Sequence, residues 1–278
     1  MKKIASFCLV LALLLFVSGC TLKDGSQESL KFKPVENGYA LYRFKGSSLQ
    51  DTFTVPDTYK DEKVVEIMDF AIANAEYLKT VVIGENISII GDWGIVNCPS
   101  LKEIKVSEKN TVFVSVNGTL YTKDLSELLF FPNGSLSVET DADGNTEGGA
   151  AVLPESVRKI GNNAFYQCGN LYAIKFNDGL EEIGDKAFIK CGNLKNFAFP
   201  ESLEKIGDDA FSYCDSLTEI IIPKNVNHIG DFAFYTLSGN VKNIVIQREN
   251  GDDMHLGKDW LPLMKGEVNK KCELLFEP

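Results

Sequence analysis

Cys98, Cys168, Cys191 and Cys214 each stand eight residues after an isoleucine that is followed by glycine, in IGDWGIVNC, IGNNAFYQC, IGDKAFIKC and IGDDAFSYC. Recurrent thiols with carboxylates beside them, such as Asp208 and Asp209, are the raw material of metal sites, disulfides and acid–base catalysis. The spacing argues against each. Structural zinc draws on clustered C-x2-4-C pairs, and the chain has none. Cysteines at identical places in repeated units fit a column of small buried hydrophobes better than bridges. Asp208 is placed to cap a helical turn and Asp209 to stand exposed beside it, so the two do not converge on a pocket. DADGNTEGG (141–149) sets Asp141, Asp143, Asn145 and Glu147 at alternating positions, like the start of a calcium loop. Thr146 holds the sixth place, which needs glycine, and Val152 holds the place of the bidentate acid, so an acidic loop is expected. The only histidines, His228 and His255, belong to neither an H-E-x-x-H nor a G-x-S-x-G pattern. No catalytic residue, metal or cofactor is expected, and the chain reads as a non-enzyme.

The residues that frame these cysteines recur with a period. Ile160, Ile183, Ile206 and Ile229 follow one another at 23 residues, as do Ile67 and Ile90. A second pattern, L-x-x-I-x-I, runs through LKTVVIG (78–84), LKEIKVS (101–107), LYAIKFN (171–177), LKNFAFP (194–200), LTEIIIP (217–223) and VKNIVIQ (241–247). Both features are the signature of a leucine-rich repeat. In Leu217 to Ile222 the terminal I-x-I has period two, so Ile220 and Ile222 point inward and Ile221 outward, as in a half-buried strand. Pro200 and Pro223 end their strands. The Ile-Gly pair is expected to turn the chain, the following Asn162, Asp185, Asp208 or Asp231 to cap a single helical turn, and Ala210 and Phe211 to face inward. No unit buries its own apolar face, so each needs neighbours.

The order I-G-D-x-A-F-x-x-C-x-x-L-x-x-I-x-I-P resembles the BspA-like leucine-rich repeat family of bacterial surface proteins over roughly residues 39–250. The resemblance implies an α/β leucine-rich repeat solenoid. Its expected parts are a parallel concave β-sheet, short helical turns and short strands on the convex side, and an inserted β-hairpin. TFTVPDTYKDEKVVEI (52–67) resembles the family's first unit, and VFVSVNGTLYTKDLSELLFFPNG (112–134) its hairpin insertion, with Asn117-Gly118 as a type I′ turn. The family also implies adhesion to host or bacterial surface proteins.

The chain begins with a basic pair and an apolar run, Ile4 to Val17, that is too short to span a bilayer as a helix and reads as a secretory signal. Val17-Ser18-Gly19-Cys20 resembles a bacterial lipobox, which implies lipidation at Cys20 and an extracytoplasmic place at the cell surface, on the cell membrane or outer membrane. The expected divisions are a lipoprotein signal peptide (1–19), a tether (20–36), an N-terminal cap with the first strand (37–66), repeats (67–250) with the insertion at about 108–150, and a C-terminal cap (251–278). The formal charge of −11 repels phosphate backbones, so nucleic acid is not an expected partner. A protein partner and a monomeric chain are expected.

Function in such a frame belongs to outward strand positions. One column is Thr54, Val82, Lys105, Val152, Lys175, Ala198, Ile221 and Val245; its neighbour includes Thr80, Glu103, Asn196, Glu219 and Asn243. The first column turns apolar toward its end, with Lys79, Lys102, Lys195 and Lys242 one step upstream, which suits a partner surface. The partner-binding residues expected are Val82, Lys105, Lys175, Asn196, Ala198, Glu219, Ile221 and Val245. Tyr121, Phe130 and Phe131 of the insertion either offer a second surface or cover the coil beneath. Peptide or glycan capture and an envelope scaffold without a small ligand are the alternatives. The columns carry no aromatic cluster of the kind glycans favour.

Overall fold

Each repeat makes one coil with three legs, and each leg follows from its residues. The computed structural model describes residues 30–45, 51–136, 139–140, 146–147, 149–195, 197–236, 240–241, 243–248, 253–261 and 273–276. The first leg is a strand, such as Glu219–Ile222, whose β-branched residues alternate exposed and buried. Pro223 ends it, and its carbonyl accepts the N–H of Val226 to start a turn; Pro154 and Pro200 do the same for Val157 and Leu203. The second leg is a two-residue rung ending in the Ile of Ile-Gly. The third carries the Asp, the Ala-Phe pair and the cysteine.

Successive strands and rungs pair in parallel. The strand legs form three ladders: Thr52–Thr54 with Thr80–Ile83 and Glu103–Val106; Gly149–Val152 with Leu171–Lys175; and Glu219–Ile222 with Asn243–Ile246 and Glu273–Phe276. Residues 197–199 form no strand. There Phe197 and Phe199 replace the pattern's two isoleucines and pack as rings against Phe211, at 5.2 and 5.6 Å between centroids. The rungs continue from Glu127–Phe130 through Lys159–Ile160, Glu182–Ile183, Lys205–Ile206 and His228–Ile229 to His255–Leu256. Ile160, Ile183, Ile206 and Ile229 are fully buried along this ladder.

The third leg corrects the expected fold class: the chain is a β-solenoid, not α/β, and its expected helical turns are not formed. Among the described residues the only helical segment is the short 3-10 turn Asn133–Ser135. The reason lies in the backbone. Asp209 and Tyr213 take left-handed φ values of 53° and 59°, as do Asn163, Gln167, Lys186, Lys190 and Phe232 at equivalent places. Alternate N–H groups then bond to different coils. Ala210, Ser212 and Cys214 donate to carbonyls three residues back, while Asp209, Phe211 and Tyr213 donate to Asp231, Ala233 and Tyr235 of the next coil. An α-helix keeps all such bonds within one segment. This leg spends half of them on its neighbour.

The aspartate and the glycine also work between coils. Asp185 Oδ1 accepts the Asp208 N–H at 2.9 Å, Asp208 Oδ1 accepts that of Asp231 at 2.7 Å, and Asp231 Oδ1 that of Lys258 at 2.6 Å. The cap is real, but it caps the neighbouring coil. Gly184, Gly207 and Gly230 do not have left-handed φ, so they are not needed to turn the chain. A Cβ on Gly207 would lie 2.4 Å from Asp185 Oδ1 and 2.7 Å from the Asp185 nitrogen. Glycine is there to let the preceding aspartate reach across.

Two core clusters run through the solenoid. One contains Leu41, Ile67, Ile72, Val81, Ile83, Leu101 and Ile104; the other runs from Leu128 and Ile160 to Phe234, Ile246 and Trp260. The insertion stands between them. Phe113–Val116, Thr119–Thr122 and Glu127–Phe130 form a meander whose Asn117-Gly118 turn has both φ values positive, as expected for type I′. Phe113 and Leu120 join the first core, and Tyr121 and Leu128 the second. The expected hairpin is therefore a three-stranded wall between two cores.

Paired strands lie at both ends of the described chain. Leu30–Val35, read as tether, pairs antiparallel with Gly38–Phe44 around a turn at Asn37. In the segment read as a cap, His255–Leu256 adds a rung and Glu273–Phe276 a strand, while Trp260 is buried in the second core. The signal peptide, Cys20 and Cys272 lie outside the described residues. So do Asp141, Asp143 and Asn145, between Glu139–Thr140 and Thr146–Glu147, which pair antiparallel. No helix among the described residues is long and apolar enough to cross a membrane.

Candidate functional site

The strand legs bring the predicted columns into register. Thr54 and Lys105 flank Val82, Val152 stands opposite Lys175, and Ile221 opposite Val245. Parallel pairing with a period of two puts these side chains on one face. Lys105, Lys175, Ala198 and Glu219 are exposed, Val152 is 68% and Ile221 48% exposed, and Val82 is half-buried. Val245 departs from expectation: it is 8% exposed, with the strand Glu273–Phe276 alongside as a further rung. It is not available to a partner. Asn196 and Lys242 lie outside the described residues.

The electrostatics of this face are local. Lys105 Nζ lies 2.9 Å from Glu103, which also accepts the Thr80 hydroxyl at 3.1 Å. The Lys105 contact lowers the Glu103 pKa; burial opposes it, and the Thr80 hydroxyl adds a lesser lowering. Lys79 pairs loosely with Asp51 at 3.7 Å, and Lys195 Nζ lies 5.7 Å from the Tyr172 ring centre. The face thus carries two large exposed aliphatic groups, Val152 and Ile221, and the small Ala198, between fixed and solvated charges.

The second expected surface is not one. Tyr121 is 4% exposed in the core, where burial pushes its phenol up to about 12, and Phe130 and Phe131 are half-buried. Phe131 stacks on Phe165 at 4.7 Å.

The cysteines form the buried column expected of them. Cys98, Cys168, Cys191 and Cys214 are free and buried. Cys191 and Cys214 donate from Sγ to the carbonyls of Phe165 and Phe188 in the preceding coils, at 3.1 and 3.2 Å. Burial raises all four thiol pKa values, that of Cys191 to about 12, so no thiolate is offered at neutral pH. Among the described residues no group of three or more His, Cys, Asp or Glu side chains is placed to hold a metal.

Sequence reasoning missed one part of the face and one site away from it. Leu275 continues the Ile221–Val245 column; its signal was the L-x-F of residues 274–276, which repeats the I-x-I alternation. The other is on the third leg, where exposed and half-buried aromatic side chains gather. Phe70 stacks on Trp93 at 5.9 Å, Trp93 meets Tyr166 edge-on at 4.9 Å, and Tyr235 meets Tyr213 and Phe232 edge-on at 5.7 and 5.8 Å.

The repeat matches a known family model. Six copies of the pattern described as "BspA type Leucine rich repeat region" match residues 40–141 and 145–252. A search of curated proteins found no match. Among solved structures, the pneumococcal vaccine antigen PcpA aligns at 18% identity over 80% of this chain and 81% of that one, with a TM-score of 0.52. A leucine rich cell surface protein from Faecalibacterium prausnitzii A2-165 aligns at 15% identity over 88% of this chain and 94% of that one, with a TM-score of 0.48.

Proposed function

The chain belongs to the BspA-type leucine-rich repeat family, and on that premise we propose that it is a non-enzymatic binding protein of the bacterial cell surface that holds a protein partner along its strand face. The observation that carries this reading is the exposure of Ile221 and Val152 on a hydrogen-bonded ladder that also presents Lys105, Lys175 and Glu219. Apolar groups on a rigid face bind with little ordering cost, and flanking charges select the partner's orientation. The solenoid is the scaffold, and the chain acts as a monomer. The lipobox-like Val17 to Cys20 supports a lipid anchor at Cys20, which leaves the solenoid outside the membrane.

Residues 21–278, immobilised and exposed to host matrix and bacterial envelope fractions, should retain proteins that an Ile221→Asp, Val152→Asp variant releases. Equal capture by both would remove the strand face from the proposal. Mass spectrometry of the membrane-extracted protein should find acylated Cys20 at the N-terminus, and Cys20→Ser should release the protein from the membrane. A membrane-bound Cys20→Ser chain would refute the anchor.

A further inference from the structure

The aromatic side chains that the strand face lacks are on the third leg, in the coils that begin at Ile206 and Ile229. Asp209, Tyr213, Phe232, Tyr235 and Asp259 line an open cleft of about 480 Å³ there. That size is within the range of small-molecule sites.

The display of these side chains follows from the backbone. Ala210 and Phe211, and Ala233 and Phe234, are buried in the core. Their neighbours Asp209, Tyr213 and Phe232 have left-handed φ values of 53°, 59° and 55°, and Asp259 has 46°. Equivalent positions in earlier coils hold Phe70, Asn74, Asn97, Asn163, Gln167, Lys186 and Lys190, also left-handed. Asparagine tolerates that conformation best, and a bulky ring gains nothing from it. Tyr213 is nevertheless 38% exposed. The repeated backbone thus holds Tyr213 and Phe232 outside the core, at positions that polar residues fill in the two coils before.

The chemistry of the cleft selects the ligand. Tyr235 is perpendicular to both other rings, at 81° to Tyr213 and 89° to Phe232, so ring surfaces face the cleft in more than one direction. Such surfaces accept the C–H face of a sugar ring, and carboxylates accept its paired hydroxyls. A cationic ligand would want an uncompensated carboxylate beside the rings. The Asp209 carboxylate is already compensated, because Lys186 Nζ lies 3.5 Å from it, and Asp259 is the other carboxylate of the cleft. We propose that this cleft binds a neutral hexose unit of a glycan, at a site separate from the strand face.

Saturation-transfer NMR and calorimetry with cellobiose, maltose, lactose and chitobiose test this, using the chain from residue 21, which retains every described residue. At least one disaccharide should bind to the unaltered protein. Tyr213→Ala should weaken it about tenfold and Tyr213→Phe hardly at all, since the ring supplies the contact. Asp259→Asn should also weaken it, while Ile221→Asp and Phe70→Ala should leave it unchanged. Circular dichroism melts would establish that each variant is folded. The proposal is overturned if no disaccharide binds, if Tyr213→Ala binds as well as the unaltered protein, or if only a cationic probe, Nα-acetyl-lysine amide, binds. Because Ile221→Asp tests the strand face separately, failure of one site leaves the other standing.

Discussion

The two cores are built on one repeat frame with different fillings. In the second, Phe131, Phe165, Phe188, Phe211 and Phe234 stack as a continuous column, with centroids 4.7 to 5.4 Å apart and planes within 22°. In the first, Ile72 and Ile95 occupy the phenylalanine position, and Ile72–Ala73 pairs with Ile95–Val96 as parallel strands. The aromatic column leaves the third leg as stacked turns, whereas β-branched residues let it close a short ladder. The frame specifies where a coil turns inward. It leaves the side chain to decide which hydrogen bonds the backbone then makes.

Removing the filling should produce the largest effect and separate the halves. Phe188 is fully buried with a ring on either side, so Phe188→Ala should cost about 3–5 kcal/mol. Ile95 borders a cavity of about 150 Å³ beside the meander, so Ile95→Ala forfeits fewer contacts and should cost about 2 kcal/mol. Urea unfolding followed by hydrogen exchange would show whether the second core opens alone in Phe188→Ala, as nearest-neighbour coupling requires. Loss of both cores together would mean that the meander joins them into one cooperative unit.

The next effect concerns the frame itself. Gly207→Ala would force a Cβ against the Asp185 backbone and should cost about 1–3 kcal/mol. Gly192→Ala meets nothing within 4 Å and should stay within about 0.5 kcal/mol of the parent. Gly91→Ala meets Asp69 Oδ1 at 2.3 Å in the first half. It should therefore resemble Gly207→Ala in thermal melts. A benign Gly91→Ala would show that the frame, and not only the filling, differs between the halves.

These contrasts also show where sequence was sufficient. The 23-residue period and the I-x-I alternation gave the column register correctly, because both depend on burial that local pattern encodes. Asn117-Gly118 revealed its turn because these residues tolerate the positive φ that a type I′ turn requires. The third leg was misread as helical because an Ala-Phe-x-x-Cys segment after Asp satisfies helix rules, while left-handed φ at Lys186 or Tyr213 is imposed by bonds to the next coil. Val245 is buried where Glu273–Phe276 pairs beside it, a strand about one coil away whose intervening residues break the period. Asn37-Gly38 was legible as a turn signal, but the polar stretch before it suggested a tether.

Caps should matter less than packing, and equally in both halves. Asp208→Ala removes the acceptor of the Asp231 N–H and should cost about 1 kcal/mol. Asp69→Ala removes the acceptor of the Trp93 N–H, at 3.0 Å, and should cost about the same. Asn at either position keeps the oxygen and should restore most of the loss in denaturant titrations. A cap effect confined to one half would mean that the intercoil aspartate is an accident of that half.

The smallest expected difference is a response to acid confined to the second half, which holds both histidines of the chain. The rungs place Glu127, Lys159, Glu182, Lys205, His228 and His255 in one column, where the acids and lysines alternate with Lys205 3.1 Å from Glu182. The alternation ends at the histidines, which stack face to face at 4.6 Å. Burial lowers the His228 pKa first, then the neighbouring His255 and Lys205; Asp208 and Asp185 oppose the shift. A depressed histidine pKa means that the unfolded chain binds more protons than the folded one. The stabilising contribution is therefore present above the unfolded value of about 6.5 and is lost as pH falls below it. Between about pH 7.5 and about pH 5.5 the last coils should lose hydrogen-exchange protection while the first core keeps its own. His228→Gln should flatten that loss, and a loss unchanged in His228→Gln would assign it to the carboxylates of the same column.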